Sequence, residues 1–162
     1  MAWRGTSNEE AAGLGAEQPA KFRLAPKSCG RQNRAMRLEH AALQVADPVG
    51  MANWYVQHLG CAVARAGGPP NCARFLAAGP VLIEIYQSAN APAPDYRTMH
   101  PSQLHLAFVS EDLKADRDRL LAAGASVAED YFTNPAGDQL LMLRDPWGLG
   151  LQLVKRAKPM LG

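Results

Sequence analysis

Short apolar runs and polar breaks follow one another along most of the chain, and two long stretches repeat the same order. "HAALQVADPVGMANWYVQHLGCAV" begins at His40 and "HLAFVSEDLKADRDRLLAAGASV" at His105. Each opens with an apolar run of strand length and reaches an acidic residue seven positions after the histidine, Asp47 or Asp112. A helix-length segment then stops at glycine, Gly60 or Gly124, and a valine-containing run follows, with Val63 and Val127 three positions past the glycine. The blocks close on matching aliphatic strands, "GPVLIEIYQ" and "GLGLQLVKR". Self-similarity on this scale marks two copies of one supersecondary unit.

The periodicity predicts strand, helix and three strands in each half. Asp47 is placed to cap a helix whose first residue is Pro48, with Met51, Tyr55 and Leu59 along one face and Gly60 as its stop. In the second half Ser110 or Asp112 caps, Leu113 and Leu120 share a face, and Gly124 ends the helix. Asp145-Pro146-Trp147-Gly148 has the composition of a tight turn entering a strand. Residues 88–103, with three prolines and little apolar content, read as a solvated linker between module one (37–87) and module two (104–156).

Residues 1–36 show neither period and are rich in Ala, Gly and charge, so they are expected to be a disordered extension; 157–162 form a short C-terminal tail. Met36 stands directly before the first strand-like run, and a chain beginning there is expected to fold and bind ligand as the long form does. The first 36 residues carry six basic and three acidic side chains, leaving eleven and twelve in the remainder. With no basic stripe interleaved with aromatics, nucleic acid is not an expected partner. No apolar stretch approaches the ~20 residues of a membrane span, and there is no secretory apolar segment. Cys29, Cys61 and Cys72 form no C-x-x-C motif and are read as free thiols in a reducing cytoplasm. At 48% hydrophobic content, 162 residues suffice for one core.

The closing strands each hold one polar interruption: Glu84, 44 positions after His40, and Gln152, 47 after His105. An amide left without a partner in a buried strand costs about 1–3 kcal/mol, so each interruption needs something to receive it. Alternation places Glu84 on one face with Leu82 and Tyr86, and Gln152 with Gly150 and Val154. Pairing of the modules about a pseudo-twofold axis would bring His40, Glu84, His105 and Gln152 together. Two imidazoles, a carboxylate and an amide oxygen suit a divalent transition metal with positions left for substrate. A single strand histidine is usually a hydrogen-bonded core residue. Four polar residues at matching repeat positions favour the metal.

Residues 37–156 resemble the vicinal oxygen chelate superfamily, which includes glyoxalase I, methylmalonyl-CoA epimerase, extradiol dioxygenases, and the bleomycin and fosfomycin resistance proteins. The likeness rests on "MRLEHAALQVAD", "WYVQHLGCAV", "LIEIY", "LHLAFV" and "DPWGLGLQL". The last follows the family's D-P-x-G-x-x-I-E-L, with Gln152 replacing the glutamate. The resemblance implies an α+β fold of two paired βαβββ modules forming a curled sheet cleft around one divalent ion (Zn, Ni, Co, Mn or Fe). His40, Glu84 and His105 match three ligand positions and Gln152 the fourth; a homodimer acting on a small-molecule substrate follows by analogy.

With one carboxylate among four ligands a divalent ion keeps a formal +1, which favours chelation of a carbonyl-bearing substrate. Glu84 is the proton acceptor of the set, since an amide cannot serve. Isomerisation, epimerisation or lyase chemistry is the expected activity. The family's glutathione-serving positions hold Gln44, Ser88 and Pro101, which argues against glyoxalase I itself; only Gln44 is of a suitable type. Extradiol enzymes place their carboxylate where Gln152 stands, although Glu84 with two histidines still forms a two-histidine, one-carboxylate set, so ring cleavage remains an alternative. Methylmalonyl-CoA epimerase has the same ligand inventory with the two polar positions exchanged. A non-catalytic, drug-sequestering protein is the other alternative. His58 and His100 lie outside the repeat positions; Tyr96, Arg97 and His100 fall in the linker; Trp54 and Trp147 are read as packing residues; Cys61 and Cys72 have no base beside them.

Overall fold

A computed structural model describes residues 36–160. The expected extension, apart from Met36, and the last two residues of the C-terminal tail lie outside them. The first half forms β1 (His40–Gln44), α1 (Pro48–Leu59), β2 (Ala62–Ala66), β3 (Arg74–Ala78) and β4 (Val81–Tyr86). The second repeats the order with β5 (His105–Val109), α2 (Leu113–Ala122), β6 (Ser126–Thr133), β7 (Gln139–Arg144) and β8 (Gly150–Lys155). The strands make two four-stranded mixed sheets, ordered β1-β4-β3-β2 and β5-β8-β7-β6. The fold is therefore α+β, with the strand, helix and three strands of each half as expected. In both sheets the first strand lies parallel to the last, and the other pairs are antiparallel.

The helix ends follow local chemistry. Asp47 accepts the Gly50 amide at 2.9 Å, Pro48 opens α1, and Gly60 closes it at φ 69°, a conformation that favours glycine. Of the two candidates for the second cap, Asp112 accepts the Ala115 amide at 3.0 Å, while Ser110 donates its hydroxyl to Asp116. Among the described residues no helix is long and apolar enough to cross a membrane.

The core lies on the helix-bearing faces of the sheets. Met51 and Tyr55 of α1 join Leu76, Ile83 and Ile85; Leu120 of α2 joins Leu141, Leu143, Leu151 and Leu153 in the same cluster. Burying each such aliphatic side chain is worth about 1.5–3 kcal/mol. Three bonds from α1 cross to the second half: the Trp54 indole donates to the Ala123 carbonyl at 2.8 Å, Arg119 to the His58 carbonyl at 2.6 Å, and the Tyr55 hydroxyl to Asp145 at 2.8 Å.

Most of residues 88–103 are exposed and none lies in a helix or strand, but Tyr96 and Pro101 are buried. The Tyr96 hydroxyl donates to the Gln44 carbonyl, and Arg144 holds the carbonyls of Tyr96 and Met99. Arg97 donates to the Pro146 carbonyl at 2.6 Å and its backbone packs where a Cβ on Gly148 would sit. Prolines keep the segment out of helix and ladder. They do not keep an aromatic ring out of the core. Gln44 anchors the same segment through the Ala91 carbonyl at 2.6 Å, so its amide is committed to structure rather than free for a ligand.

Candidate metal centre

In sheet one, β1 and β4 pair so that His40 stands beside Leu82, with Glu84 two positions further along the same face. The His40 Nε2 lies 3.2 Å from the Glu84 Oε2. Two donor atoms, each about 2.1 Å from one ion, stand about 3.0 Å apart at a right angle and about 3.4 Å apart at a tetrahedral one, so this separation fits two ligands of a single metal. The other ring nitrogen, Nδ1, is engaged by the Glu39 carboxylate. A carboxylate on Nδ1 fixes the ring and leaves Nε2 as the coordinating atom, the arrangement common around metal-bound histidines. Glu39 also holds the His40 imidazolium, raising its pKa above 6.5, with Glu84 adding to the effect.

The second sheet repeats the register. His105 stands beside Gly150, with Gln152 two positions on. His105 donates Nδ1–H to the Pro101 carbonyl at 3.0 Å; because a carbonyl only accepts, Nε2 of the neutral ring keeps its lone pair. Gly150 makes room for this ring, since a Cβ there would approach the His105 Cβ and the Leu104 carbonyl oxygen to 2.9 Å. Gln152 is half-buried.

The four residues do not gather into one cluster within the described chain: among the described residues no three His, Cys, Asp or Glu side chains form a group able to hold a metal ion. His40 and Glu84 make one pair; His105 and Gln152 share one face of the other sheet. The first pair is open, with 35% of the His40 and 21% of the Glu84 side chain exposed. Two orienting groups, Glu39 and the Pro101 carbonyl, have no periodic signature. Glu39 is recoverable only as the carboxylate adjoining His40 just outside β1. Phe75, opposite Glu84 on β3, packs its ring edge-on to the His40 imidazole with centroids 5.5 Å apart.

The other candidates have structural partners. His58 lies tilted against the Trp54 ring, His100 faces Ser102 and Glu129, and Trp54 is buried. Trp147 packs against the core. Burial pushes the Cys61 thiol up, away from a nucleophilic thiolate.

Comparison with known proteins bears on the same region. The family model described as Glyoxalase/Bleomycin resistance protein/Dioxygenase superfamily matches residues 37–153. The crystal structure of SMU.1112c is similar at 31% identity and TM-score 0.60, over 74% of this chain and 98% of that one. A glyoxalase family protein from Enterococcus faecalis is similar at 27% identity and TM-score 0.57, over 74% and 97%. A glyoxalase I variant from Zea mays shares the fold at 22% identity and TM-score 0.60, over 75% of this chain and 46% of the maize protein. No match is found among curated protein sequences.

Proposed function

The chain belongs to the glyoxalase/bleomycin resistance protein/dioxygenase superfamily, and on that premise we propose that it is a divalent-metal-dependent enzyme catalysing isomerisation, epimerisation or lyase chemistry on a small carbonyl substrate that chelates through oxygen. One observation carries the reading. Both histidines commit Nδ1 to an oxygen acceptor and present Nε2, and one of them does so 3.2 Å from a carboxylate oxygen.

His40 and Glu84 supply one half of the ligand set, and His105 with Gln152 the other. The two halves sit at the same register of their sheets. A homodimer in which one protomer's first pair meets its partner's second pair would complete the set. When bound, a divalent ion polarises a substrate carbonyl and lowers the cost of negative charge on its oxygen. Glu39 holds the His40 ring in the orientation that presents Nε2. Glu84 turns Oε2 toward His40, leaving Oε1 to accept a proton from the carbon beside the carbonyl. The Gln152 amide contributes an oxygen without a second negative charge, so the site stays electrophilic.

A sequestering role draws on a different observation, an apolar groove of about 450 Å³ lined by Ala41, Ile83, Leu106 and Phe108 among others. Metal analysis separates the two. The purified chain, reconstituted with Co, Ni, Mn or Zn and desalted, should retain about one ion per protomer, and Glu84→Ala or His105→Ala should lose it while staying folded. A chain that takes up none of these ions overturns the catalytic reading.

A further inference from the structure

The row of residues crossing sheet one at Glu84 continues past it. Phe75 stands opposite Glu84, and Arg65 stands opposite Phe75, so all three share a face. The Phe75 ring lies between two groups of different chemistry: the His40 ring on one side, and the Arg65 guanidinium carbon 6.0 Å from its centroid on the other. Arg65 reaches this face because the β2–β3 register shifts between Val63 and Arg65. Unbroken alternation from Val63 opposite Leu76 would set Ala64 against Phe75 and Arg65 against Arg74, turning the guanidinium to the other face. The arginine is exposed, and the ion pairs among the described residues engage other cations. A guanidinium without an ion-pair partner among the described residues, an apolar ring and a metal-type donor pair therefore lie in line.

We propose that Arg65 recognises an anion on the substrate, and that the site takes a carboxylate-bearing oxygen chelator; the inference rests on the metal reading above. Strands about 4.8 Å apart put the β-carbons of Glu84 and Arg65 about 10 Å from one another. The long arginine side chain spans part of that, leaving room for two or three carbons between chelating oxygens and carboxylate. Phe75 is the surface along which those carbons lie. The planar guanidinium fork matches a carboxylate in two parallel hydrogen bonds, which lysine cannot reproduce.

The test uses the full chain loaded with cobalt and two probes with the same chelating head, followed by calorimetric titration. Acetohydroxamate has no tail; succinohydroxamate adds a carboxylate two methylenes away. Wild type should bind the second at least about tenfold more tightly, the gain expected of a charge-assisted pair. Arg65→Met should erase that preference while leaving cobalt content and acetohydroxamate affinity unchanged, and Arg65→Lys should keep only part of it. Equal binding of the two probes by wild type, or a preference that survives in Arg65→Met, overturns the assignment. Failure to take up cobalt overturns the metal reading as well; cobalt uptake without a carboxylate preference overturns the arginine alone.

Discussion

The Tyr55 hydroxyl donates to the Asp145 carboxylate at 2.8 Å, joining residues 90 positions apart: one in the first helix, the other in the turn that launches β8. Asp145 also accepts the Trp147 and Leu149 amides, so one buried carboxylate organises the turn and docks the helix. Tyr55→Phe removes one bond to a charged acceptor and should lower stability by about 1.5–3 kcal/mol. Urea unfolding should show a lower midpoint at unchanged slope.

Metal binding should depend on pH through His40. Coordination requires the unprotonated Nε2, whereas Glu39, and to a lesser extent Glu84, hold the imidazolium and raise its pKa above 6.5. Affinity should therefore fall as pH drops through that raised value, beginning above the range of an ordinary histidine. Glu39→Gln removes the main cause of the shift, so the fall should move to lower pH. The variant should also weaken affinity at pH 8 by about 10- to 100-fold, because the ring loses its orienting partner. Competition against a chromophoric chelator at several pH values reads both effects.

Gln152→Glu adds a second carboxylate and removes the formal positive charge from a site holding a divalent ion. Metal should bind more tightly and the affinity for an anionic chelator should drop. Unchanged metal preference and unchanged chelator affinity would show that the amide does not tune the centre.

Subunit mixing tests whether the two half-sets meet between protomers. His40→Ala and His105→Ala chains should each fail to retain metal alone. Refolded together in equal amounts, they should recover about one ion per mixed dimer, since each such dimer contains one intact set. Recovery of none would place all four ligands within one chain or nowhere.

Much of this architecture is legible in the sequence because the unit is written twice. Asp47, Pro48 and Gly60 state the ends of a helix by their own chemistry, and the offsets of Glu84 from His40 and of Gln152 from His105 survive as equal registers in the two sheets. What stayed hidden depends on departures from period. Alternation cannot announce the shift that turns Arg65 toward Phe75. Proline content marks 88–103 as irregular but not that the Tyr96 ring packs into the core. Glu39 lies just outside β1, where strand alternation makes no statement about its direction. Pseudo-twofold symmetry points to convergence of the four polar residues but does not say whether the two halves belong to the same chain.

The register shift in β2 has a counterpart in β6, between Val127 and Glu129, which sets Glu129 opposite Met142 in the row that contains Gln152. The doubled unit thus carries two equivalent addresses, one holding an arginine and the other a glutamate. Each is reached by a local slip of the backbone, so its occupant can be exchanged without re-laying any strand. Descendants of such a unit can reverse the sign of the molecule they select while inheriting the scaffold intact.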